Sequence, residues 1–156
     1  MILKKKILFV CTGNTCRSPM AEHLLKEKLK KMNIDNIEVE SAGLSAFFPQ
    51  KASKNAILVM SELGIDISSH VSRLINEEMI KESTLILTME RYHKEVITKM
   101  YPGVMDKVFT LKEYVLDDKK ELDVVDPYGG NIEEYRRCRD ELSYLIDKLL
   151  SKVDDI

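Results

Sequence analysis

Tryptophan is missing from this 156-residue chain, and proline, glycine and cysteine are scarce at four, six and three residues. So little proline and glycine excludes collagen-like and low-complexity architectures. Three cysteines without framework spacing exclude a disulfide-stapled scaffold and fit a reducing compartment, so a cytoplasmic location is expected. Long apolar runs are lacking too. Ile7 to Val10 is too short for a signal-peptide core, and no window approaches the roughly 18 uninterrupted apolar residues of a membrane span. An excess of one charge is also absent: 24 basic against 26 acidic residues leave a net charge of -2. No general field therefore draws the chain to nucleic acid or to an anionic membrane, and any anion has to be bound locally. Lys4, Lys5 and Lys6 read as a solvated strand entrance.

What is present suits one globular domain spanning 1–156, long enough to build a core without staples. Lys5 to Val10 reads as a buried strand followed by the turn formers Thr12, Gly13 and Asn14. Ser18 and Pro19 then open a helix in which Met20, Ala21, Leu24, Leu25, Leu29 and Met32 recur at three- and four-residue spacing. Ile37 to Ser41, Thr84 to Thr88 and Lys107 to Leu111 read as further strands. Helices are expected through Ala52 to Leu63, Glu90 to Met100, and from Asn131 onward, the last with Glu134 completing a capping box. Strands alternating with helices predict an α/β fold with a parallel sheet and helices on both faces. Ligands of such sheets sit at the carboxyl ends of the strands, which directs attention to the loop after the first one.

That loop is Cys11-Thr12-Gly13-Asn14-Thr15-Cys16-Arg17-Ser18. Gly13 permits a tight path on which successive N–H groups converge on one anion, and the following helix start adds partial positive charge. Arg17 offers two parallel hydrogen bonds to phosphoryl oxygens. Cys11, amid these donors, is expected to be a thiolate at neutral pH and to attack phosphorus in line, giving a cysteinyl-phosphate. Ser18 is placed to hydrogen-bond the sulfur, and Asn14 to hold the loop's shape. Alone, Cys11 would read as a buried strand-end thiol and Arg17 as a surface residue; the spacing, the internal glycine and the helix-opening proline together favour a phosphate loop. Asp126, in Asp126-Pro127-Tyr128-Gly129-Gly130, is the candidate general acid and then base, with Tyr128 walling the pocket. Taken alone, Asp-Pro is a turn.

The segments Val10 to Glu22 and Asp126 to Gly130, with Glu40 to Gly43, Thr88-Met89 and Val108 to Leu111, resemble the low-molecular-weight protein tyrosine phosphatase family over nearly the whole chain. The resemblance implies a four-stranded parallel sheet flanked by helices. It also implies a hydrolase without cofactor or metal that acts as a monomer on phosphorylated proteins. Carried over, it makes Cys11 the nucleophile, Arg17 the phosphate binder, Asn14 and Ser18 loop organisers, and Asp126 the acid and base. Cys16 matches a second loop cysteine that in part of the family forms a reversible disulfide with the nucleophile; a small packing residue is the alternative. The string through Thr15 is most like the bacterial protein arginine phosphatase branch, where Thr stands in place of the aliphatic residue of tyrosine-specific members. Thr15 and Tyr128 are therefore the expected selectivity positions and phosphoarginine the expected substrate, with phosphotyrosine as the alternative.

Other classes fit less well. A thiol-dependent arsenate reductase would need further cysteines on a downstream helix, and the remaining one, Cys138, falls on the apolar stripe of the last helix. A non-catalytic phosphate-binding module has no need of both Cys11 and Asp126. A metal site lacks paired Cys-x-x-Cys spacing. The three histidines read as structural or solvated: His23 in the first helix, His70 in a Ser-rich turn, and His93 exposed in a charged helix.

Overall fold

From Ile7 to Cys11 every side chain is buried, as befits a strand covered on both faces. A computed structural model describes residues 4–117 and 119–156. In it this strand, β1 (Lys5–Cys11), lies between β2 (Ile37–Gly43) and β3 (Leu85–Thr88), with β4 (Val108–Thr110) at the edge. All pairings are parallel, and Cys11 stands opposite Gly43 and Val10 opposite Thr88.

Side chains alternate across a strand, so β1 feeds two cores. Ile7, Phe9 and Cys11 join the larger one with Met20, Leu24, Leu25, Leu142 and Leu145. Leu8 and Val10 join the smaller, with Ile80, Ile86, Ile97 and Val108. The first face is covered by α1 (Arg17–Lys31), α2 (Lys54–Ser61) and α6 (Ile132–Leu150), and α1 and α2 both pack on α6. The second is covered by α3 (Glu77–Glu82) and α4 (Arg91–Met100), which carry Ile80 and Ile97. Helix α6 forms as its sequence demands: the Asn131 side chain accepts from the Glu134 N–H, Glu134 reaches back to the Asn131 N–H, and Tyr135, Cys138, Leu142, Leu145 and Leu149 form the buried stripe. Truncating a fully buried member such as Leu142 to alanine would cost roughly 2–5 kcal/mol.

The expected four strands and helices are all present, with shifted ends. The fourth strand is shorter than expected because Leu111 opens a helix, α5 (Leu111–Val115), with Thr110 as its cap. Helices α3 and α5 were not foreseen, being too short at six and five residues for apolar periodicity to show. Among the described residues no helix is long and apolar enough to cross a membrane.

Candidate active site

The carbonyls of the loop between β1 and α1 are tied outward. Those of Cys11, Thr12, Asn14 and Thr15 accept from Leu44 N at 3.0 Å, Ser45 N at 2.9 Å, the His70 ring at 2.8 Å and Ser53 N at 2.9 Å. In a planar trans peptide the N–H points opposite to the C=O, so each outward carbonyl aims the next residue's N–H to the inside of the loop. The amides of Thr12, Gly13, Thr15 and Cys16 are thereby turned to the inside of the loop, the cradle expected for a tetrahedral anion. Asn14 holds the left-handed conformation that this path needs, at φ 57°.

A polar chain fixes the direction of the protons. Asn14 Nδ2 donates to Ser18 Oγ at 2.8 Å and to Ser41 Oγ at 2.9 Å, Asn14 Oδ1 accepts from Arg73 N at 2.9 Å, and Ser41 donates to Glu22. Because Ser18 Oγ already accepts from Asn14, its own proton is free for Cys11 Sγ, 2.8 Å away. The Asn14 N–H, at 3.2 Å, and the Ser18 N–H also face the sulfur. These donors and Arg17 pull the Cys11 pKa down, but burial outweighs them and the net direction is upward.

Arg17 is 2% exposed and spends its guanidinium on three partners. Nη1 contacts Glu90 Oε2 at 2.7 Å and donates to the Val124 carbonyl at 2.8 Å, and Nη2 lies 3.4 Å from Asp126 Oδ2. Asp126 comes from the segment before α6, where its Oδ1 accepts from Tyr128 N at 3.0 Å. The tight turn needs Gly129 at φ 79°. Tyr128 is exposed. A cleft of about 220 Å³ is lined by Cys11, Thr15, Arg17, Gln50, Asp126 and Tyr128. A Cβ placed on Gly13 would stand 3.7 Å from Thr15 Oγ1, so the Thr15 hydroxyl faces across Gly13. Every site residue named from the sequence thus lies in the loop or borders this cleft.

Cys16 borders the same cleft, and its Sγ lies 3.3 Å from Tyr135 Oη and 3.4 Å from Ser53 Oγ. Burial, with Cys16 as neighbour, pushes the Tyr135 hydroxyl up to about 12, so it stays protonated. All three thiols are free, and Cys138 is buried on α6, its pKa raised to about 12 by burial.

Sequence reading missed several supports. His93 is fully buried rather than exposed, because with Ile97 it forms the inner face of α4. Its Nδ1 accepts from Glu90 N at 3.1 Å, so the neutral ring carries its proton on Nε2 and donates to Thr12 Oγ1 at 2.9 Å. Burial, then the nearby Arg17 charge, lower its pKa to about 4. The His93–Ile97 spacing of four was the available signal. For Glu90, Gln50 and Arg73 the sequence carried none, since each reaches the loop from a distant segment.

Comparison with known proteins places this geometry among relatives. A family model described as low molecular weight phosphotyrosine protein phosphatase matches residues 6–155. A protein-arginine-phosphatase of Geobacillus stearothermophilus is 45% identical over 148 residues, covering 95% of this chain and 95% of the relative. The crystal structure of a low molecular weight protein tyrosine phosphatase from T. tengcongensis superposes with a TM-score of 0.89 at 45% identity, over 96% of this chain and 99% of that one. A YwlE arginine phosphatase structure, a cysteine-to-serine mutant with a phosphorylated active site serine, superposes with a TM-score of 0.89 at 42% identity, over 96% and 95%.

Proposed function

Starting from a chain that belongs to the low-molecular-weight phosphotyrosine protein phosphatase family, we propose that it removes phosphoryl groups from phosphoarginine in proteins through a cysteinyl-phosphate on Cys11. The observation that carries this reading is the Cys11 sulfur at the floor of the loop, capped by Ser18 at 2.8 Å, with Arg17 and Asp126 lining the same cleft. The loop amides and Arg17 bind the phosphoryl oxygens, the dianion competing for the guanidinium with the carboxylates that hold it. Cys11 passes its proton to an oxygen of the bound phosphoryl dianion and attacks phosphorus, the P–N bond breaks, and protonated Asp126 donates to the departing guanidine nitrogen. Asp126, now a carboxylate, takes a proton from water as that water attacks the cysteinyl-phosphate. Ser18 stabilises the departing sulfur. The serine trapped in phosphorylated form in the YwlE mutant supports a covalent route.

The substrate choice rests on Thr15, whose hydroxyl borders the cleft, and on the arginine phosphatase among the relatives. The domain acts as one catalytic unit over 1–156, as a cytoplasmic monomer, with Tyr128 as a wall for the substrate and Cys16 as candidate resolving thiol for oxidised Cys11. Phosphotyrosine is the second reading, favoured by the exposed ring of Tyr128 at the cleft and by the T. tengcongensis tyrosine phosphatase. The deciding measurement is kcat/KM on matched phosphoarginine and phosphotyrosine peptides, with Cys11→Ser as blank. Preference for phosphoarginine, reversed by Thr15→Ile, is expected; preference for phosphotyrosine would refute the substrate assignment while leaving the catalytic one intact.

A further inference from the structure

Outside the cleft that holds Cys11, a second concavity of about 490 Å³ is lined by Glu22, Ser41, His70 and Arg73 among others, and shares no residue with the first. At this place Glu22 and His23 of α1 meet His70, which arrives from the segment before α3. One ligand-capable atom from each of the three lies within 4.8 Å of the other two. We propose that Glu22, His23 and His70 form a binding site for one divalent transition-metal ion of the zinc class, lying against the back of the phosphate loop.

The donor set decides the class of ion. Two imidazoles and one carboxylate suit zinc or its transition-metal neighbours, whereas magnesium and calcium take oxygen ligands. Zinc-to-ligand distances near 2.1 Å put the ligands of a tetrahedral site about 3.4 Å apart. The present spacing therefore has to close by little more than an ångström, which the half-buried His23 ring can supply by rotation. Its Nε2 already stands 3.9 Å from Glu22 Oε2. The outer partners are of the kind that orient metal ligands. The His70 Nε2 position is occupied by the Asn14 carbonyl at 2.8 Å, leaving Nδ1 as the ligating nitrogen, and Glu22 Oε1 accepts from Ser41. Asp66 adds negative charge near His23. The occupant to be displaced is the Lys26 ammonium, 2.5 Å from Glu22 Oε2, whose half-exposed side chain can swing into solvent. A fourth position, toward the concavity, is left for a water molecule.

The site bears on the loop through two bonds. Metal ligation at Nδ1 makes the opposite N–H of His70 a stronger donor to the Asn14 carbonyl, and Asn14 occupies the left-handed conformation on which the loop's path depends. Binding thus stiffens the cradle without touching the cleft.

The test is calorimetric titration of Zn²⁺ into the full chain carrying Cys11→Ser, which removes the sulfur that would itself take zinc. One ion per chain is expected. Adding His23→Gln should weaken uptake at least about tenfold, the size of loss that even outer partners of a metal produce. Because His23 is partly exposed, the unchanged thermal midpoint of that variant without metal verifies its fold. Adding Lys26→Met instead, which removes the competing ammonium, should tighten binding. No uptake up to on the order of 1 mM Zn²⁺, uptake indifferent to His23→Gln, or weaker binding in Lys26→Met would each overturn the proposal. None of these outcomes depends on the phosphatase reading.

Discussion

Nη1 of Arg17 stands 2.7 Å from a carboxylate oxygen of Glu90, so the side chain proposed to bind phosphate is held, at rest, by a charge of the same sign as the substrate. That pairing lets the guanidinium be buried at 2% exposure, and it also competes with an incoming dianion.

Replacing Glu90 by Gln is therefore expected to separate binding from turnover. Inorganic phosphate should inhibit the variant more strongly, because one competing negative charge is gone. kcat should fall about tenfold or more, because the guanidinium loses the group that fixes its plane. Phosphate inhibition constants and kcat from one steady-state series check both. Weaker phosphate inhibition together with an unchanged kcat would mean that Glu90 does not act on Arg17.

The close approach of β2 to the loop gives a second prediction. A Cβ on Gly43 would stand 2.6 Å from the Thr12 carbonyl oxygen and 3.0 Å from the Asn14 nitrogen, both backbone atoms that cannot step aside without deforming the loop. Gly43→Ala should cost about 1–3 kcal/mol of stability and, through the displaced cradle, on the order of a hundredfold in kcat/KM. Gly103→Ala, where nothing lies within 4 Å of the new methyl, is the control expected to change neither. Denaturation midpoints and kinetics on the pair decide.

The division between what the sequence displays and what it hides follows from these contacts. Cys11 to Ser18 is a continuous string, so its spacing, glycine and helix start could be read directly, and Asp126 followed as the carboxylate in a turn with two glycines. The parallel sheet followed from strands separated by helices. The supports were illegible because each is a single residue brought in by chain topology. Glu90 follows β3, His70 and Arg73 lie between α2 and α3, and Val124 contributes only a carbonyl. His93 misled because Arg91, Lys94 and Glu95 make its helix look solvated, although only the His93 and Ile97 face turns inward.

His93 also makes stability depend on pH. Its pKa is about 4 in the folded chain, below the ordinary value near 6.5. The unfolded chain therefore binds more protons between those values, and stability rises with pH there. The contribution is complete above pH 6.5 and is lost as pH falls through 4, amounting to roughly 3 kcal/mol. Protonation takes away the Nδ1 acceptor that holds the Glu90 N–H. Urea midpoints between pH 4 and 7 should fall with acid in the parent protein and fall distinctly less in His93→Gln. Parallel curves would exclude His93 as the linked group.

The carboxylate of Asp126, 3.4 Å from Arg17 and half-exposed at the mouth of the cleft, is proposed to serve both halves of the reaction, and leaving-group chemistry can tell the halves apart. A guanidine nitrogen is a poor leaving group and needs a proton as the P–N bond breaks; a nitrophenolate departs without one. In Asp126→Asn the first step should remain fast on p-nitrophenyl phosphate while the second, which needs a base to activate water, slows by about 10²–10⁴-fold. The expected signature is a burst of one nitrophenol per active site followed by a slow steady state, with phosphoenzyme on Cys11 detectable by intact mass. On a phosphoarginine peptide the same variant should show no burst, because the first step itself lacks its acid. Undiminished steady turnover on both substrates would remove Asp126 from the mechanism and leave proton transfer to another group in the cleft.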